Sequence, residues 1–576
     1  MKKILILIIC SIVACFHKLS ADNVSESMAR SIANQFLSSL TSDNKQTCNE
    51  LKLSSYQTRA AVDVQNFYLF KGADNVGFVI VAADDIVRPI IAYSTDCILS
   101  ESDELPPNME DYLLCLNEQI TTAKAKGITQ SEEVRTMWNT AMASANPVVL
   151  MKTANWNQYA PFYNECPLLH GNRTLTGCVP TATGILMRYY SYPNYGTGKT
   201  TAYQTKTFKI NVGSRNLNHK IAWENMPLDY SNFSSEQAAC VSELLADIGA
   251  ASESDYGPNE TPTGNNKPFE VLAKYYGYIC NEFVYRIGIP DSVWHKKLKD
   301  CLNKEHPIIY SGAREDFTSG HCFIIDGYDT IGLYHINWGW GGKYNAFFAL
   351  DVLRVDNNDF SFNQSALLDC FPATMNSEKY FCYNNLYYPT LNSAVLAARG
   401  RENQTIIVEN NCEETNSIYV YPDNSITLDL NGKELRCTSI NNNGSLTITD
   451  ESKTGKIISS MAIRNNAEMR INDGMFENRI DVSEGGSLSI SGGIFSQKPD
   501  EIYLADNCII TANEDPETMD EFPYRVINPT GIGNIILMGN EPKEYYDYYG
   551  RKLNGIPGKG LYLIRDHNNW GRKIYR

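Results

Sequence analysis

Apolar and polar residues alternate with different periods along the chain, and the changes of period divide it into regions. Between positions 25 and 40 the apolar residues lie three or four apart, which predicts an amphipathic helix. A second helical pattern covers about residues 109–126. Residues 22–148 are therefore predicted to form an α+β domain that ends in an exposed connector, residues 131–145. Runs rich in aromatic and β-branched residues predict its strands: residues 67–70, 77–81 and 90–94.

Residues 149–371 are denser in aromatic residues and glycine, and they again mix the two periods. A helix is predicted behind Cys178, and an amphipathic helix is predicted over residues 236–249. These patterns predict a second α+β domain. Two strands of a hairpin are predicted over residues 323–325 and 333–336, with a turn between them over residues 327–332.

In residues 372–515 the pattern changes to short strand-like runs separated by Asn and Gly. Equivalent apolar positions recur at a spacing near 20, since Leu446 to Met469 is 23 residues and Met469 to Leu488 is 19. One strand and one turn per repeat predict a β-solenoid, in which each rung buries its apolar face against its neighbours. A β-sandwich with similar hairpins is the alternative. Residues 516–576 predict a small terminal β unit.

The first 21 residues have the pattern of a secretory signal peptide. Lys2 and Lys3 precede an apolar run over residues 4–14, and Ala21 ends a small-residue cleavage site. The apolar run is too short to cross a bilayer. A lipobox that would make Cys15 a lipid-bearing N-terminus is the alternative, and simple cleavage after Ala21 is preferred. The protein is therefore predicted to be secreted or held at the cell surface.

Composition limits the classes of partner and site. A chain of 576 residues is too long for a single hydrophobic core, so several domains are expected. The formal net charge of −16 argues against nucleic acid as a partner, because nothing basic offsets the acidic excess. The 16 cysteines contain no CxxC pair, which argues against a zinc ribbon or a thioredoxin-like site. Neither a metal nor an organic cofactor is implied, and the sequence does not predict which cysteines pair.

Cys178 is the candidate nucleophile because of the residues around it. It follows Gly177, and Pro180 is tolerated only in the first turn of a helix. Cys178 is therefore expected at a helix N-terminus, where the helix dipole and the free N–H groups stabilise a thiolate. A single cysteine taken alone is more often a small core residue.

His321, Asn337 and Gln158 are candidates for the other groups that a cysteine nucleophile needs. His321 opens an apolar strand, so its imidazole is the candidate general base. Asn337 lies 16 positions later, across the predicted hairpin, where its carboxamide is expected to hold the imidazole tautomer. Gln158, 20 residues before Cys178, is expected to bind the oxyanion together with the backbone N–H of Cys178.

Three further residues frame this candidate site. Trp338 and Trp340 are expected to shield the histidine–asparagine pair from water, and Gly320 directly precedes His321. Each residue alone has an ordinary explanation as a core, turn or solvated position. Their order along the chain, Gln–Cys–His–Asn within glycine-rich segments, is much more specific.

These segments resemble the streptopain family of secreted bacterial cysteine peptidases, and the resemblance covers about residues 25–371. It is carried by four parts of the sequence: Trp156-Asn157-Gln158 with 161–167, Gly177-Cys178-Val179-Pro180-Thr181-Ala182, Gly320-His321 with Asp326-Gly327-Tyr328, and His335-Ile336-Asn337-Trp338-Gly339-Trp340-Gly341-Gly342.

The resemblance implies a papain-like fold that is made as an inactive zymogen. It implies Cys178 as nucleophile, His321 as general base, Gln158 at the oxyanion hole, and Asn337 orienting His321 with Trp338 as a shield. Residues 22–148 would be an inhibitory pro-domain, which is removed by cleavage near residues 145–152, either by the enzyme itself or by another protease. Protein and peptide substrates, and a subsite for a bulky apolar side chain upstream of the cleaved bond, are implied in the same way.

The sequence departs from the family pattern near the nucleophile and the base. Pro180 stands where a small residue is usual, and Gly184-Ile185 replaces a commoner Ala-Gln pair. Cys322 follows His321 where alanine is usual, and on a strand it points to the opposite face, which predicts a core position. None of these changes removes a catalytic group.

Two other functions stay open on the sequence alone. A papain-like acyl transferase or amidase uses the same chemistry and differs only in its acceptor. A surface protein with an idle peptidase domain is the second, in which the solenoid binds a cell-surface or glycan ligand. The last 60 or so residues resemble C-terminal sorting or anchoring segments of secreted bacterial proteins, and a plain closing hairpin is the alternative.

Overall fold

The structure is a computed structural model, and it divides the chain into two compact units, residues 1–375 and 376–576. The predicted signal peptide lies outside the described residues. Within the described part, no helix combines the length and the apolarity that a membrane crossing requires. The described residues are 23–40, 52–53, 66–72, 76–98, 105–140, 145–313, 320–350 and 364–529, together with the backbone of four strands between 544 and 575.

The first unit contains seven helices and fifteen strands in its described residues. Its N-terminal third has these elements: α1 (Glu26–Leu40), β1 (Lys52–Leu53), β2 (Phe67–Lys71), β3 (Val76–Ala82), β4 (Ile90–Ile98), α2 (Pro107–Ala125) and α3 (Glu132–Asn139). The remainder has these: β5 (Pro147–Leu150), β6 (Leu168–Leu169), β7 (Asn172–Arg173), α4 (Cys178–Tyr190), β8 (Tyr203–Gln204), β9 (Asn211–Val212), α5 (Ser235–Ala251), α6 (Lys267–Tyr276), β10 (Tyr278–Tyr285), α7 (Asp291–Leu302), β11 (Ile308–Ala313), β12 (Gly320–Asp329), β13 (Tyr334–Asn337), β14 (Ala346–Phe348) and β15 (Ser365–Pro372).

One sheet of eleven strands continues through both domains of this unit. Its order is β1-β2-β3-β4-β14-β13-β12-β11-β15-β10, and β5 pairs with the end of β12. The two domains join where β4 pairs with β14, with Tyr93 opposite Phe347 and Ala92 opposite Phe348. The backbone N–H of Ala349 extends this ladder by donating to the carbonyl of Ile91 at 2.8 Å. The N-terminal domain therefore covers an edge strand of the second domain.

Strand β12 contributes alternate residues to two hydrophobic cores, as a strand with two covered faces must. Phe323 and Ile325 pack in the core that includes α1, α2 and α7. Cys322 and Ile324 pack in the core that includes α4, α5 and α6. The prediction that Cys322 is a core residue is confirmed, since its relative exposure is 2%.

Most of the predicted elements of this unit are present. Helices α1, α2 and α5 and strands β2, β3 and β4 lie where the sequence predicts them. The predicted hairpin is β12 and β13, which pair antiparallel. The connector predicted for residues 131–145 is wrong in part, because helix α3 occupies most of it. The Ser131 side chain accepts a hydrogen bond from the N–H of Val134 at 3.1 Å and caps that helix. Residues 141–144 lie outside the described residues.

The second unit is built on a parallel β-solenoid. Its elements up to the end of the coils are: β16 (Phe381–Tyr383), β17 (Leu386–Tyr388), α8 (Leu391–Ala397), β18 (Gln404–Val408), β19 (Cys412–Glu414), β20 (Ile418–Val420), β21 (Ser425–Asp429), β22 (Glu434–Cys437), β23 (Ile440–Asn442), β24 (Ser445–Thr449), β25 (Lys456–Ser459), β26 (Ile463–Asn465), β27 (Glu468–Ile471), β28 (Met475–Phe476), β29 (Ile480–Val482), β30 (Ser487–Ile490) and β31 (Gly493–Phe495). The remaining strands are: β32 (Ile509–Ala512), β33 (Tyr524–Ile527), β34 (Glu544–Asp547), β35 (Lys552–Leu553), β36 (Gly560–Asp566) and β37 (Asn569–Tyr575).

Successive coils stack their strands in parallel sheets, which confirms the predicted solenoid. The three sheets follow β18-β21-β24-β27-β30, β19-β22-β25-β28-β31 and β20-β23-β26-β29. Leu446 stands opposite Met469, and Met469 opposite Leu488, so the repeat spacing reflects a continuous buried ladder. Parallel pairing between repeats excludes the β-sandwich of antiparallel hairpins. Antiparallel strands cover the described ends, β16 at β18 and β33 at β31, while β34 to β37 form a separate four-stranded antiparallel sheet.

Candidate active site

The thiol of Cys178 lies at the N-terminus of α4, as the sequence predicts. Gly177 caps the helix with φ +89°, and a Cβ atom there would lie 2.7 Å from the carbonyl oxygen of Thr261. Only glycine fits this backbone and this contact. Thr181 donates its hydroxyl to the Gly177 carbonyl at 2.8 Å. Cys178 is partly exposed, so its sulfur lies in the field of the helix N-terminus with access to solvent.

His321 lies near the start of β12, beside Cys178, whose side chain interacts with the imidazole and raises its pKa. The structure therefore brings together the predicted nucleophile and the predicted base, which are far apart in sequence. Nucleophile and base within hydrogen-bond reach are the arrangement that allows a thiol to be activated.

The imidazole of His321 is also bound by a residue of the N-terminal domain. Asp111, on α2, forms a hydrogen bond and ion pair with His321 Nε2 through its Oδ2 atom. Burial of the ring opposes its protonation, but the bonds to Asp111 and Cys178 outweigh that effect and raise the pKa of His321 to about 9. The imidazole is thus held as a cation at neutral pH, in contact with both the thiol and a carboxylate.

Asn337 is bonded to residues other than His321 in this precursor, so its role in orienting the imidazole stays a prediction for the matured enzyme. Its Nδ2 donates to Thr153 Oγ1 at 2.9 Å and to the Ala154 carbonyl at 3.0 Å. Its Oδ1 accepts from the N–H of Gly339 at 3.1 Å. The strand register explains this result. Asn337 stands opposite Ile324, three positions from His321, and residues an odd number apart face opposite sides of a strand.

Asn337 belongs instead to a buried polar network that the sequence analysis missed. Thr153 donates its hydroxyl to Asp326, and the other carboxylate oxygen of Asp326 lies 2.5 Å from His335 Nδ1. Asp326 and Asn337 are each 1% exposed. The only sequence signal for this network is the presence of Asp326 and His335 in the segments that carry His321 and Asn337. The network fixes the end of β13 to the segment that enters the domain.

Gln158 lies beside the segment that precedes the nucleophile. Its backbone carbonyl accepts from the N–H of Thr176 at 3.4 Å and from the Thr176 hydroxyl at 3.3 Å. Thr176 is two residues before Cys178, and Gln158 itself is buried. This placement brings Gln158 and the helix N-terminus into one neighbourhood, as an oxyanion site made from both requires.

The two tryptophans have different environments. Trp338 is fully buried, donates its ring N–H to the Tyr344 carbonyl at 3.0 Å, and packs 4.9 Å from Phe323 and 5.7 Å from Tyr112 of α2. Its role as a shield of a His321–Asn337 bond stays a prediction for the matured enzyme. Trp340 is partly exposed and meets the ring of Tyr159 edge-on at 5.5 Å.

Gly320 is a predicted residue of the site, whereas Asp111 is one that the sequence analysis missed. Gly320 is exposed at the start of β12, where it pairs with Ala313. The sequence analysis does not single out Asp111, because a carboxylate in an amphipathic helix is usually a solvated residue. Its partner lies 210 residues away in sequence, and no local pattern encodes that contact.

Two family models match parts of the first unit. Residues 156–348 match the model of the Peptidase C10 family, and residues 21–120 match that of the Spi protease inhibitor. Streptopain of Streptococcus pyogenes is 29% identical over 333 residues, which are 54% of this chain and 79% of that protein. The thiol protease/hemagglutinin PrtT of Porphyromonas gingivalis is 24% identical over 377 residues, 62% of this chain and 43% of that protein.

Two solved structures from Prevotella intermedia are also similar. A fragment of prointerpain A is 24% identical, with a TM-score of 0.44, and the match covers 55% of this chain and 98% of the fragment. Active wild-type interpain A, a cysteine protease, is 29% identical, with a TM-score of 0.34, and the match covers 38% of this chain and 93% of that one.

Proposed function

We propose that this chain, whose residues 156–348 match the Peptidase C10 family and residues 21–120 the Spi protease inhibitor, is a secreted cysteine endopeptidase made as a zymogen. It hydrolyses peptide bonds of proteins through an acyl-thioenzyme. The observation that carries this proposal is the contact of the Cys178 thiol, at a helix N-terminus, with the imidazole of His321. Export rests on the signal-peptide pattern of the first 21 residues.

In the first half of the reaction, the Cys178 sulfur attacks the carbonyl carbon of the peptide bond, and His321 takes the thiol proton. The negative charge that develops on the carbonyl oxygen is stabilised by the backbone N–H of Cys178 and by the side chain of Gln158. His321 then returns the proton to the leaving amine. The amine departs and leaves the acyl group on the Cys178 sulfur.

In the second half, water attacks the thioester carbon while His321 accepts a proton from it, the carbon–sulfur bond breaks, and the carboxylic acid product leaves. The proton on His321 then returns to the Cys178 sulfur. The positions of Gln158 and of the α4 N-terminus support the oxyanion role. Asn337 acts in this scheme through Thr153 and Asp326. It is therefore a positioning residue that holds β13 beside β12, the strand that carries His321.

The pro-domain inhibits the enzyme by holding the base. The Asp111 carboxylate binds Nε2 of His321 while the same imidazole contacts the thiol, so the pro-domain occupies a ring nitrogen that the active enzyme needs for its own orienting group. Contacts that support the docking of this domain include the β4–β14 pairing, a bond from the Tyr93 hydroxyl to Asp329 at 3.0 Å, and one from Arg88 to the Ile331 carbonyl at 2.9 Å.

Cleavage that releases the pro-domain falls before Asn146. The Asn146 carbonyl accepts from the N–H of Thr330 at 3.0 Å, and the Met151 N–H donates to the Asp326 carbonyl at 2.8 Å. Residues 146–151 are thus bound to β12, and a peptide bond within a paired strand does not fit a protease cleft. Cleavage is expected near residues 145–152, and we place it at the N-terminal edge of that range.

Casein hydrolysis by the matured enzyme tests the proposal against a matched pair of variants. Cys178→Ala is expected to abolish hydrolysis, while Cys322→Ala, next to the base but buried on the other strand face, is expected to retain most of it. Hydrolysis by the Cys178→Ala variant would overturn the assignment. Transfer of the acyl group to an added amine with no hydrolysis would favour an acyl transferase, and inertness of the fully processed protein would favour a binding protein.

A further inference from the structure

Two buried cysteines face each other across an antiparallel strand pair that the proposed chemistry does not use. Cys280 on β10 and Cys370 on β15 are direct cross-strand partners. Their relative exposures are 2% and 0%, and their sulfur atoms are 2.9 Å apart. Directly opposite residues of an antiparallel pair have Cα atoms about 4.5–5.5 Å apart. That separation lies within the range of about 4.4–6.8 Å that a disulfide bond spans.

We propose that Cys280 and Cys370 form a disulfide bond when the protein folds outside the cytoplasm. The proposal rests on export, which is part of the proposed function. Each thiol loses one proton and one electron as the sulfur–sulfur bond forms, and an external disulfide such as oxidised glutathione is reduced to two thiols in the exchange. The reaction passes through a mixed disulfide with one of the two cysteines.

The bond has to form while the strands are still accessible. Burial, and then the contact with Cys280, raise the pKa of Cys370 well above its usual range. The folded dithiol is therefore a poor nucleophile, since the thiolate is the species that attacks a disulfide. The same burial protects the finished bond from thiol reductants. A mild reductant can thus restore the partly exposed Cys178 thiol without opening the Cys280–Cys370 bond.

The bond would enclose the part of the chain that carries the catalytic base. The two cysteines are 90 residues apart, and α7, β11, β12, β13 and β14 lie between them. A long closed loop loses more entropy in the unfolded chain than a short one, so its closure favours the folded state. The nucleophile, Cys178, is outside this loop.

The chain provides matched controls among its other cysteines. Cys412 and Cys437 also lie on neighbouring strands, but Cys412 stands opposite Leu435 and Cys437 opposite Glu414, so the two are offset diagonally. Cys301 is buried, yet its sulfur accepts from the N–H of Asp369 at 3.2 Å and donates to the His306 carbonyl at 3.5 Å. All three are expected to stay thiols under conditions in which Cys280 and Cys370 pair.

Mass spectrometry of the full chain tests the proposal directly. The protein is exported to the periplasm of a bacterial host, and a second sample is refolded in a glutathione redox buffer. Both are denatured without reductant in N-ethylmaleimide and digested. We expect one linked peptide pair that contains Cys280 and Cys370, with maleimide on Cys301, Cys412 and Cys437. Maleimide on both Cys280 and Cys370 in the two samples would overturn the proposal.

Melting temperatures distinguish a disulfide bond from two adjacent thiols. Protein refolded in the redox buffer is expected to melt roughly 5–15 °C higher than the same protein refolded with excess reductant. The double variant Cys280→Ser with Cys370→Ser is expected to melt at one temperature in both buffers. The double variant Cys412→Ser with Cys437→Ser is expected to keep the difference in melting temperature between the buffers. Equal melting of the wild type in both buffers would contradict the bond.

The same digest distinguishes failure of the disulfide proposal from failure of the proposed function. An epoxide adduct on Cys178 reports the peptidase site, and the linked peptide reports the disulfide. An adduct with two alkylated thiols at 280 and 370 would overturn the disulfide alone. A linked pair without any adduct on the processed protein would count against the peptidase and support the disulfide.

Discussion

Asp111 binds Nε2 of His321, the imidazole for which the sequence predicts Asn337 as the partner. The carboxylate comes from the pro-domain and the imidazole from the peptidase domain. His321 is therefore in contact with Cys178 and with the N-terminal domain at the same time. Under the proposed function, latency depends on this contact between Asp111 and His321, in addition to any obstruction of the substrate cleft.

Loss of the Asp111 charge is expected to weaken latency. Asp111→Asn keeps the size of the side chain but removes the ion pair, and a hydrogen bond to a charged group contributes about 1.5–3 kcal/mol. The intact precursor should therefore react with a thiol-directed epoxide roughly tenfold faster or more. Labelling rates measured by mass spectrometry, before any cleavage, check this expectation. The matched control is Glu118→Gln, an exposed carboxylate of the same helix, and a similar acceleration in both variants would exclude a specific role for Asp111.

The stability of the precursor is expected to depend on pH through His321. The pKa of His321 is about 9 in the folded precursor, above its value of about 6.5 in an unfolded chain. A raised pKa stabilises the folded state fully below about pH 6.5, and this contribution disappears as the pH rises through about 9. In the uncleavable Cys178→Ala background, Asp111 is the remaining group that raises this pKa, so the protein that keeps Asp111 should melt at a higher temperature at pH 7 than the one with Asp111→Asn. The gap should narrow by pH 10, and a gap that stays constant to pH 10 would contradict the assignment.

Asn337→Ala is expected to act through the buried network. It leaves the hydroxyl of Thr153 and the carbonyl of Ala154 without the amide, at a cost of about 1–3 kcal/mol in the free energy of unfolding. Thr153→Ala should have a similar effect, because it breaks the same chain of bonds to Asp326. Urea unfolding and the pH profile of kcat/KM are the measurements. If Asn337→Ala alone shifts the pH profile, then Asn337 contacts His321 in the active enzyme and the positioning role is wrong.

Gly177→Ala is expected to displace Cys178 through a steric contact as well as through backbone strain. A methyl group would meet the Thr261 carbonyl oxygen at 2.7 Å, in addition to the strain of φ +89°. Gly171 has nearly the same φ, +85°, with no atom within 4 Å of the added Cβ, so Gly171→Ala measures the strain alone, about 1 kcal/mol. We expect Gly177→Ala to lower both the melting temperature and the epoxide labelling rate of the matured enzyme well below those of Gly171→Ala. Equal effects would show that the contact with Thr261 does not matter.

The sequence predicts those parts of the protein in which local chemistry determines structure. Gly177 and Pro180 place the start of α4 at Cys178, because few other residues suit those backbone positions. The repeat of Leu446, Met469 and Leu488 indicates the solenoid, because each coil needs an apolar residue at the same point of its turn.

The parts that the sequence does not predict depend on distant contacts. Whether Asn337 reaches His321 depends on the register between β12 and β13 and on which strand face each side chain takes. Asp111 has an ordinary position in a helix, and its role arises only because β4 joins β14 and brings α2 to the catalytic base. In both cases a residue's role is set by its partner in the folded chain, which the local pattern does not encode.

The proposed function implies a zymogen whose own Cys178 removes the pro-domain. The most direct test is mass spectrometry of the purified full chain, incubated under mild reducing conditions with and without a thiol-directed epoxide. We predict a single adduct on Cys178, loss of the pro-domain by cleavage before Asn146 only when the epoxide is absent, and an unprocessed Cys178→Ala precursor. Processing of that variant by itself, or an adduct on another cysteine with Cys178 unmodified, would contradict the account.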